Sequence, residues 1–294
     1  MDYAGADSLL VAAIPPKEPA HAYFRGLCLF NRFNDLGDTA ALTQAARLWE
    51  GLDRDPGKNP PPVSSQGNLP LYRGLATLQL SYVAKIRGHS LAAARLGRRA
   101  AGQLRPHSGD AEAEAALALY DYYKAGLLKG MDWLPFIRSD SEGSLRRLEK
   151  AIPRSRYLSE VLQTSLVWIY YDAGQYDKGL DLIGPFLVRY PQNRVYRQIK
   201  ADFLFRKGQF PQALAIHREL LSEYGQLREH YPPPGYIPVG YLSSVGNLAK
   251  IYTAMGMADS AKTQVRIWSA PQSLAYQAWL PASLKKEVKT LPTP

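Results

Sequence analysis

Apolar and polar positions follow a helical period along most of the chain. The clearest stretch runs from Trp168 to Pro191, WIYYDAGQYDKGLDLIGPFLVRYP, where two amphipathic segments meet at Ala173-Gly174. Glycine can take the left-handed conformation that ends a helix, and a proline such as Pro191 stops the one that follows. The spacing therefore predicts a first helix closed by Gly174 and a second begun at Tyr176. Moving 34 residues along brings Gly208, with Phe210, Ala213 and His217 at the offsets of Tyr176, Gly179 and Ile183. Upstream, Leu166 and Tyr170 correspond to Lys200 and Leu204. Gly256 centres a third copy, with Leu248 and Tyr252 before it and Ala258, Ala261 and Val265 after it. It lies 48 residues beyond Gly208, one 34-residue period plus an insertion of 14. Gly88 centres a fourth copy, with Leu80 before it and Ala93 and Ala100 after.

The rest of the chain follows the same grammar. HAYFRGLCLFNRFND and DTAALTQAARLWEGL read as a helical pair split at Leu36-Gly37. The prolines of DPGKNPPPVSSQGNLP exclude a continuous helix and mark a connector. DAEAEAALALYDYYKAGLL begins with acidic residues, which suit a helix N-terminus. After an inserted loop, KGMDWLPFIRSDS, comes SEGSLRRLEKAI, with Leu145, Leu148 and Ile152 at helical spacing. Almost no stretch alternates with period two, so the fold class is expected to be all-α.

This pattern resembles the tetratricopeptide repeat family, whose unit is a 34-residue antiparallel helical hairpin. Gly174, the small residues Gly179, Ala213 and Ala261, the large apolar Leu166, Tyr170 and Ile183, and Pro191 carry the resemblance. Gln163 and Arg197 depart from it, standing where the family has a large aromatic, and Lys200 replaces a leucine. The resemblance implies a single domain, a right-handed superhelix of about six hairpins near 20–53, 70–105, 110–152, 155–191, 193–224 and 239–270. The connector then covers 54–69, insertions cover 129–140 and 224–238, and a C-terminal cap covers 271–294. The order of RGHSLAAARLGRRA, LYDYYKAGLLKGMDWLPF, GSLRRLEKAI and YPQN also resembles a group of bacterial cell-envelope repeat proteins. That second likeness implies no chemistry.

Composition narrows the classes of function. Hydrophobic residues make up 46% and charged residues 21%, ordinary for a folded chain, and no apolar run is long enough for a membrane span. The formal charge of +10 favours acidic partners. Its clusters, Arg95/Arg98/Arg99, Arg146/Arg147/Lys150 and Lys285/Lys286/Lys289, form no continuous stripe, so a nucleic-acid groove is not expected. Cys28 is the single cysteine, which excludes an intramolecular disulfide and a thiolate zinc site, and its apolar context predicts a buried thiol. Met1 is followed by DYAGADSLL without a basic or apolar leader pattern. Two localisations stay open: cytoplasmic, or periplasmic and envelope-associated if a leader was removed before Met1.

Catalytic motifs are not in evidence. The histidines His21, His89, His107, His217 and His230 have no histidine at i+3 or i+4, and no HExxH, CxxC, phosphate-binding glycine loop or G-x-S-x-G elbow occurs. His217 stands at a packing position and reads as a satisfied structural histidine. Glu112 and Glu114 are two apart on a helix and face different ways, and Asp2 and Asp7 fall in an expected flexible terminus. No metal or cofactor is expected, and the chain is not expected to be an enzyme.

Stacked hairpins present their first helices along a concave groove suited to peptides or protein segments. The family resemblance implies groove-facing side chains at Gln79, Tyr82 and Lys85, at Thr164, Trp168, Tyr171 and Asp172, at Gln198, Asp202, Phe205 and Arg206, and at Asn247, Lys250 and Thr253. Tyr82, Lys85, Trp168, Tyr171, Asp202, Phe205, Arg206, Asn247 and Lys250 form the candidate partner-binding set. A plainer alternative has Trp168 and Tyr171 packing between helices. The Lys/Asn/Arg pattern that clamps a C-terminal carboxylate in some relatives is not matched. YGQLREHYPPPGYIPVGY, 224–241, reads either as a lid or docking motif, or as a connector whose tyrosines fill a seam. The expected function is non-catalytic binding of a protein or peptide. An anionic ligand or nucleic acid on the basic surface, and more remotely a groove enzyme, remain as alternatives.

Overall fold

The computed structural model describes residues 3–54, 68–128, 140–230, 237–280 and 282–291. Among them the regular elements are all helical, with no strand. In chain order they are α1 (Tyr3–Ala13), α2 (Pro19–Leu36), α3 (Thr39–Asp53), α4 (Leu69–Ile86), α5 (Ser90–Leu104), α6 (Ala111–Leu128), α7 (Ser141–Ala151) and α8 (Ser159–Asp172). Then come α9 (Tyr176–Arg189), α10 (Arg194–Arg206), α11 (Phe210–His230), α12 (Val239–Ala254), α13 (Ala258–Trp268), α14 (Pro271–Gln277) and α15 (Ala282–Lys289). Sequential neighbours pack on one another, most extensively α4 on α5, α6 on α7 and α10 through α13.

The turn glycines show why the chain folds this way. Gly88, Gly174, Gly208 and Gly256 all have φ between 70° and 82°, a region where a Cβ is strained. Each terminates its helix with the same pair of backbone hydrogen bonds. At Gly174 the glycine N–H donates to the Tyr171 carbonyl at 3.1 Å and the Gln175 N–H to that of Tyr170 at 2.8 Å. At Gly208 the acceptors are Phe205 and Leu204, at Gly256 Thr253 and Tyr252, and at Gly88 Lys85 and Ala84. This double bond satisfies carbonyls that a helix end otherwise leaves unpaired. The 34-residue pattern is thus a recurrence of one cap. Small residues early in the second helices serve close packing: a Cβ on Gly179 would lie 2.2 Å from the Phe203 ring. The space at Gly179 therefore admits Phe203 of α10, the helix that follows.

Two compact units form. One contains Asp2–Phe30 and Ala40–Leu166, the other Asn31–Thr39 and Val167–Pro294. In the first, Trp49 is fully buried, donates to the Tyr23 carbonyl at 3.3 Å, and sits against Gly26, which has no room for a Cβ. Glu112 is buried there too, accepting from the backbone N–H groups of Arg156 (2.6 Å) and Tyr157 (2.9 Å), while Glu114 holds Arg154. Burial opposes the Glu112 charge, but the bonds from Tyr157 and Arg156 outweigh it and hold the carboxyl below the usual glutamate range. These two carboxylates have separate structural partners.

In the second unit, three apolar clusters run along the helices: Val167, Ile183, Phe186, Ile199 and Phe203; then Leu204, Ala213, Leu248, Ile251 and Ala261; then Leu242, Val245, Trp268, Leu280, Leu284 and Val288. The segment 31–39 belongs here, although in sequence it is the turn inside the first helical pair. Asp35 is 0% exposed and accepts two bonds from Arg194, at 3.1 and 2.5 Å, and one from the Tyr224 hydroxyl at 2.7 Å. Phe33 meets Trp279 edge-on at 5.5 Å, and Gly37 lies against Val239.

Some expectations need correction. The N-terminus is helical from Tyr3, and Asp7 is held by Arg25 through bonds of 2.9 and 3.2 Å. The chain stays helical past Tyr224 to His230, so the expected insertion begins inside α11. Tyr224 itself is buried, as a seam-filling side chain would be. The connector positions 55–67, the loop positions 129–139 and the triple-proline positions 231–236 lie outside the described residues. Cys28 is half-buried, and burial, followed by the Asp7 charge, raises its thiol pKa.

Candidate functional site

The second unit brings together most of the side chains singled out from the sequence. Trp168 and Tyr171, one helical turn apart on α8, meet edge-on at 5.9 Å, and Tyr171 meets the buried Phe203 ring at 5.4 Å. Both are half-buried, so each packs against helices and still presents surface. Arg206, at the end of α10, donates its Nε–H to the Tyr171 hydroxyl at 2.7 Å and lies over the same ring at 5.4 Å. Phe205 contacts Phe210, and the Lys250 ammonium sits 4.8 Å from the centre of its ring.

A polar line then crosses from α10 to α12. Asn247 donates to Asp202 at 3.0 Å, Lys250 donates to the Asn247 carbonyl oxygen at 3.3 Å, and Gln198 donates to Ser243 at 2.8 Å. His217 is fully buried behind Asp202, with 3.6 Å from its Nε2 to the carboxylate. That is too long for a hydrogen bond, and neither ring nitrogen has one. His217 is therefore a packing residue as expected, but not a satisfied one.

The residue that ties this face together was not among those expected. Glu287, on α15, accepts from Arg206 at 2.7 Å and pairs through its other oxygen with Lys250. Its own helix is anchored by Leu284 and Val288, buried against α12. Burial raises the Glu287 pKa, but the bonds from Lys250 and Arg206 outweigh that and hold the carboxyl below the usual range. Burial and the nearby Asp202 charge push the Tyr171 phenol up to about 12, so its hydroxyl stays protonated at neutral pH. Although burial pulls Arg206 down, its bonds to Tyr171 and Glu287 raise it further, fixing its charge. In the sequence, Leu280, Leu284, Val288 and Leu291 mark an amphipathic segment around Glu287 but not its partners.

Tyr82 and Lys85 belong to the other unit. Tyr82 is 49% exposed with one ring contact to Phe30 at 5.7 Å, and the Lys85 ammonium lies 5.7 Å from the Tyr123 ring centre. Arg197, which departs from the repeat pattern, pairs with Glu219 and Glu223 on α11, so a charge pair replaces the aromatic contact.

Among the described residues, no group of three or more His, Cys, Asp or Glu could hold a metal ion, and no helix is long and apolar enough to cross a membrane. No protein-family model matches the chain, and no curated protein matches it.

Proposed function

We propose that the chain is a non-catalytic scaffold of the tetratricopeptide type, a right-handed superhelix of hairpins whose first helices bind a peptide or protein segment. One observation carries this reading. Side chains of α8, α10 and α12 converge: Arg206, which donates to the Tyr171 hydroxyl, and Lys250 both pair with a single carboxylate on another segment of polypeptide, Glu287. Such a face offers partly exposed aromatics and cations, the residue types that anchor interfaces. The four repeated glycine caps support the repeat assignment, since each places the first helix at the same register.

Replacing Trp168 and Tyr171 together by Ala tests the function. Capture of a partner from native lysate should fall by about 2 kcal/mol or more in affinity while helix content stays intact. Undiminished capture by a folded double variant would move the site elsewhere. The net charge of +10 favours a second reading, binding of an anionic ligand or nucleic acid. In that case affinity should drop steeply with salt, which an aromatic face does not require.

A further inference from the structure

We infer that α15 is an internal occupant of the binding face, and that an external amphipathic helix carrying a carboxylate in the place of Glu287 displaces it. This inference rests on the proposal that the faces of α8, α10 and α12 bind polypeptide. α15 meets that face as a ligand would. It is an eight-residue helix, too short to be stable alone, so its fold depends on docking. Leu284 and Val288, four residues apart, insert one apolar edge beside α12, and Glu287 between them reaches Arg206 and Lys250. The Glu287 and Arg206 side chains are each 32% exposed, while that of Lys250 is 10% exposed. The Glu287 carboxylate and its Arg206 pair are thus open to competition from solution, while the site α15 leaves keeps Arg206 and Lys250 positioned by Tyr171, Phe205 and Asn247.

The partner chemistry follows from these contacts. It is a helix of about two turns with apolar side chains four apart and a carboxylate immediately before the second. A tethered segment competes at an effective concentration in the millimolar range, so an external helix sees the face only in the fraction of molecules whose α15 is undocked. Weakening α15 should raise external affinity by the same factor.

A fluorescent peptide of residues 280–291 supplies the probe, titrated into the full chain by anisotropy. Wild type should bind it weakly, and Glu287→Lys in the chain, which sets a cation against Arg206 and Lys250, should bind it about tenfold more tightly. Glu287→Gln in the chain should shift affinity in the same direction by less, and it carries the test should Glu287→Lys unfold. A peptide with Gln in place of its own glutamate should lose the gain. Equal affinity of wild type and both folded variants, no binding to any of them, or an equal gain with the Gln peptide would overturn the inference. Lysate capture that still depends on Trp168 and Tyr171 would then leave the binding proposal standing. Peptide displacement without such capture would confine the face to its own α15 and sink the scaffold proposal alone.

Discussion

Asp35 and Glu287 each tie a remote stretch of chain onto the helices of the C-terminal unit, and their surroundings differ in kind. Asp35 is 0% exposed and takes both Arg194 bonds and the Tyr224 hydroxyl, with the Arg194 guanidinium stacked 5.4 Å from the Tyr224 ring centre. Burial, then the Asp35 charge, push the Tyr224 phenol well above its usual pKa, so it remains a donor. Glu287 takes two cations, Arg206 and Lys250, but from a position 32% exposed. Ion pairs in water contribute little, whereas removing one member of a buried pair leaves a desolvated charge. The same chemistry thus makes a permanent closure at Asp35 and a reversible one at Glu287.

The comparison breaks first at Arg194. Arg194→Met should strand the Asp35 carboxylate and cost about 3–5 kcal/mol, read from denaturant unfolding. A loss under about 1 kcal/mol would show that Asp35 is not desolvated as described. Tyr224→Phe removes the hydroxyl that donates to Asp35 and should cost about 1–3 kcal/mol. Were Tyr224→Phe as costly as Arg194→Met, the phenol would be the main partner of Asp35. The smallest effect belongs to Glu287. Glu287→Gln should cost no more than about 1 kcal/mol at neutral pH. Because the folded-state pKa of Glu287 is depressed, its contribution is full above the unfolded glutamate pKa and is lost as pH falls through the folded value. The gap between wild type and Glu287→Gln in urea midpoint should therefore close on acidification. A gap that persists well below the carboxylate range would mean the side chain acts through packing.

The sequence reveals the helix caps but neither attachment. Turn glycines recur at fixed spacing because each cap is local, set by bonds spanning at most five residues, so Gly88, Gly174, Gly208 and Gly256 were legible. Trp168, Tyr171, Asp202, Phe205, Arg206, Asn247 and Lys250 were grouped by the repeat resemblance, and contacts among α8, α10 and α12 link them. Their shared acceptor was not legible, since Glu287 lies 81 residues from Arg206 and nothing local marks it as a partner. Asp35 and Arg194 are 159 residues apart and equally silent in sequence. α1 went unread because YAGADSLLVAA is apolar nearly all round and lacks a polar stripe. The extension of α11 went unread because the 34-residue period puts a helix end at Gly225, the counterpart of Pro191, whereas the helix continues to His230.

Native-state hydrogen exchange compares the two attachments in one sample. The amides of α15 should exchange through local opening at a free energy well below that of α12, and those of 31–36 should exchange only with global unfolding. Glu287→Gln should speed exchange in α15 while leaving α10, α12 and 31–36 unchanged. Exchange of α15 at the same rate and denaturant dependence as α12, in both wild type and Glu287→Gln, would contradict a reversible closure and make α15 an integral part of the core.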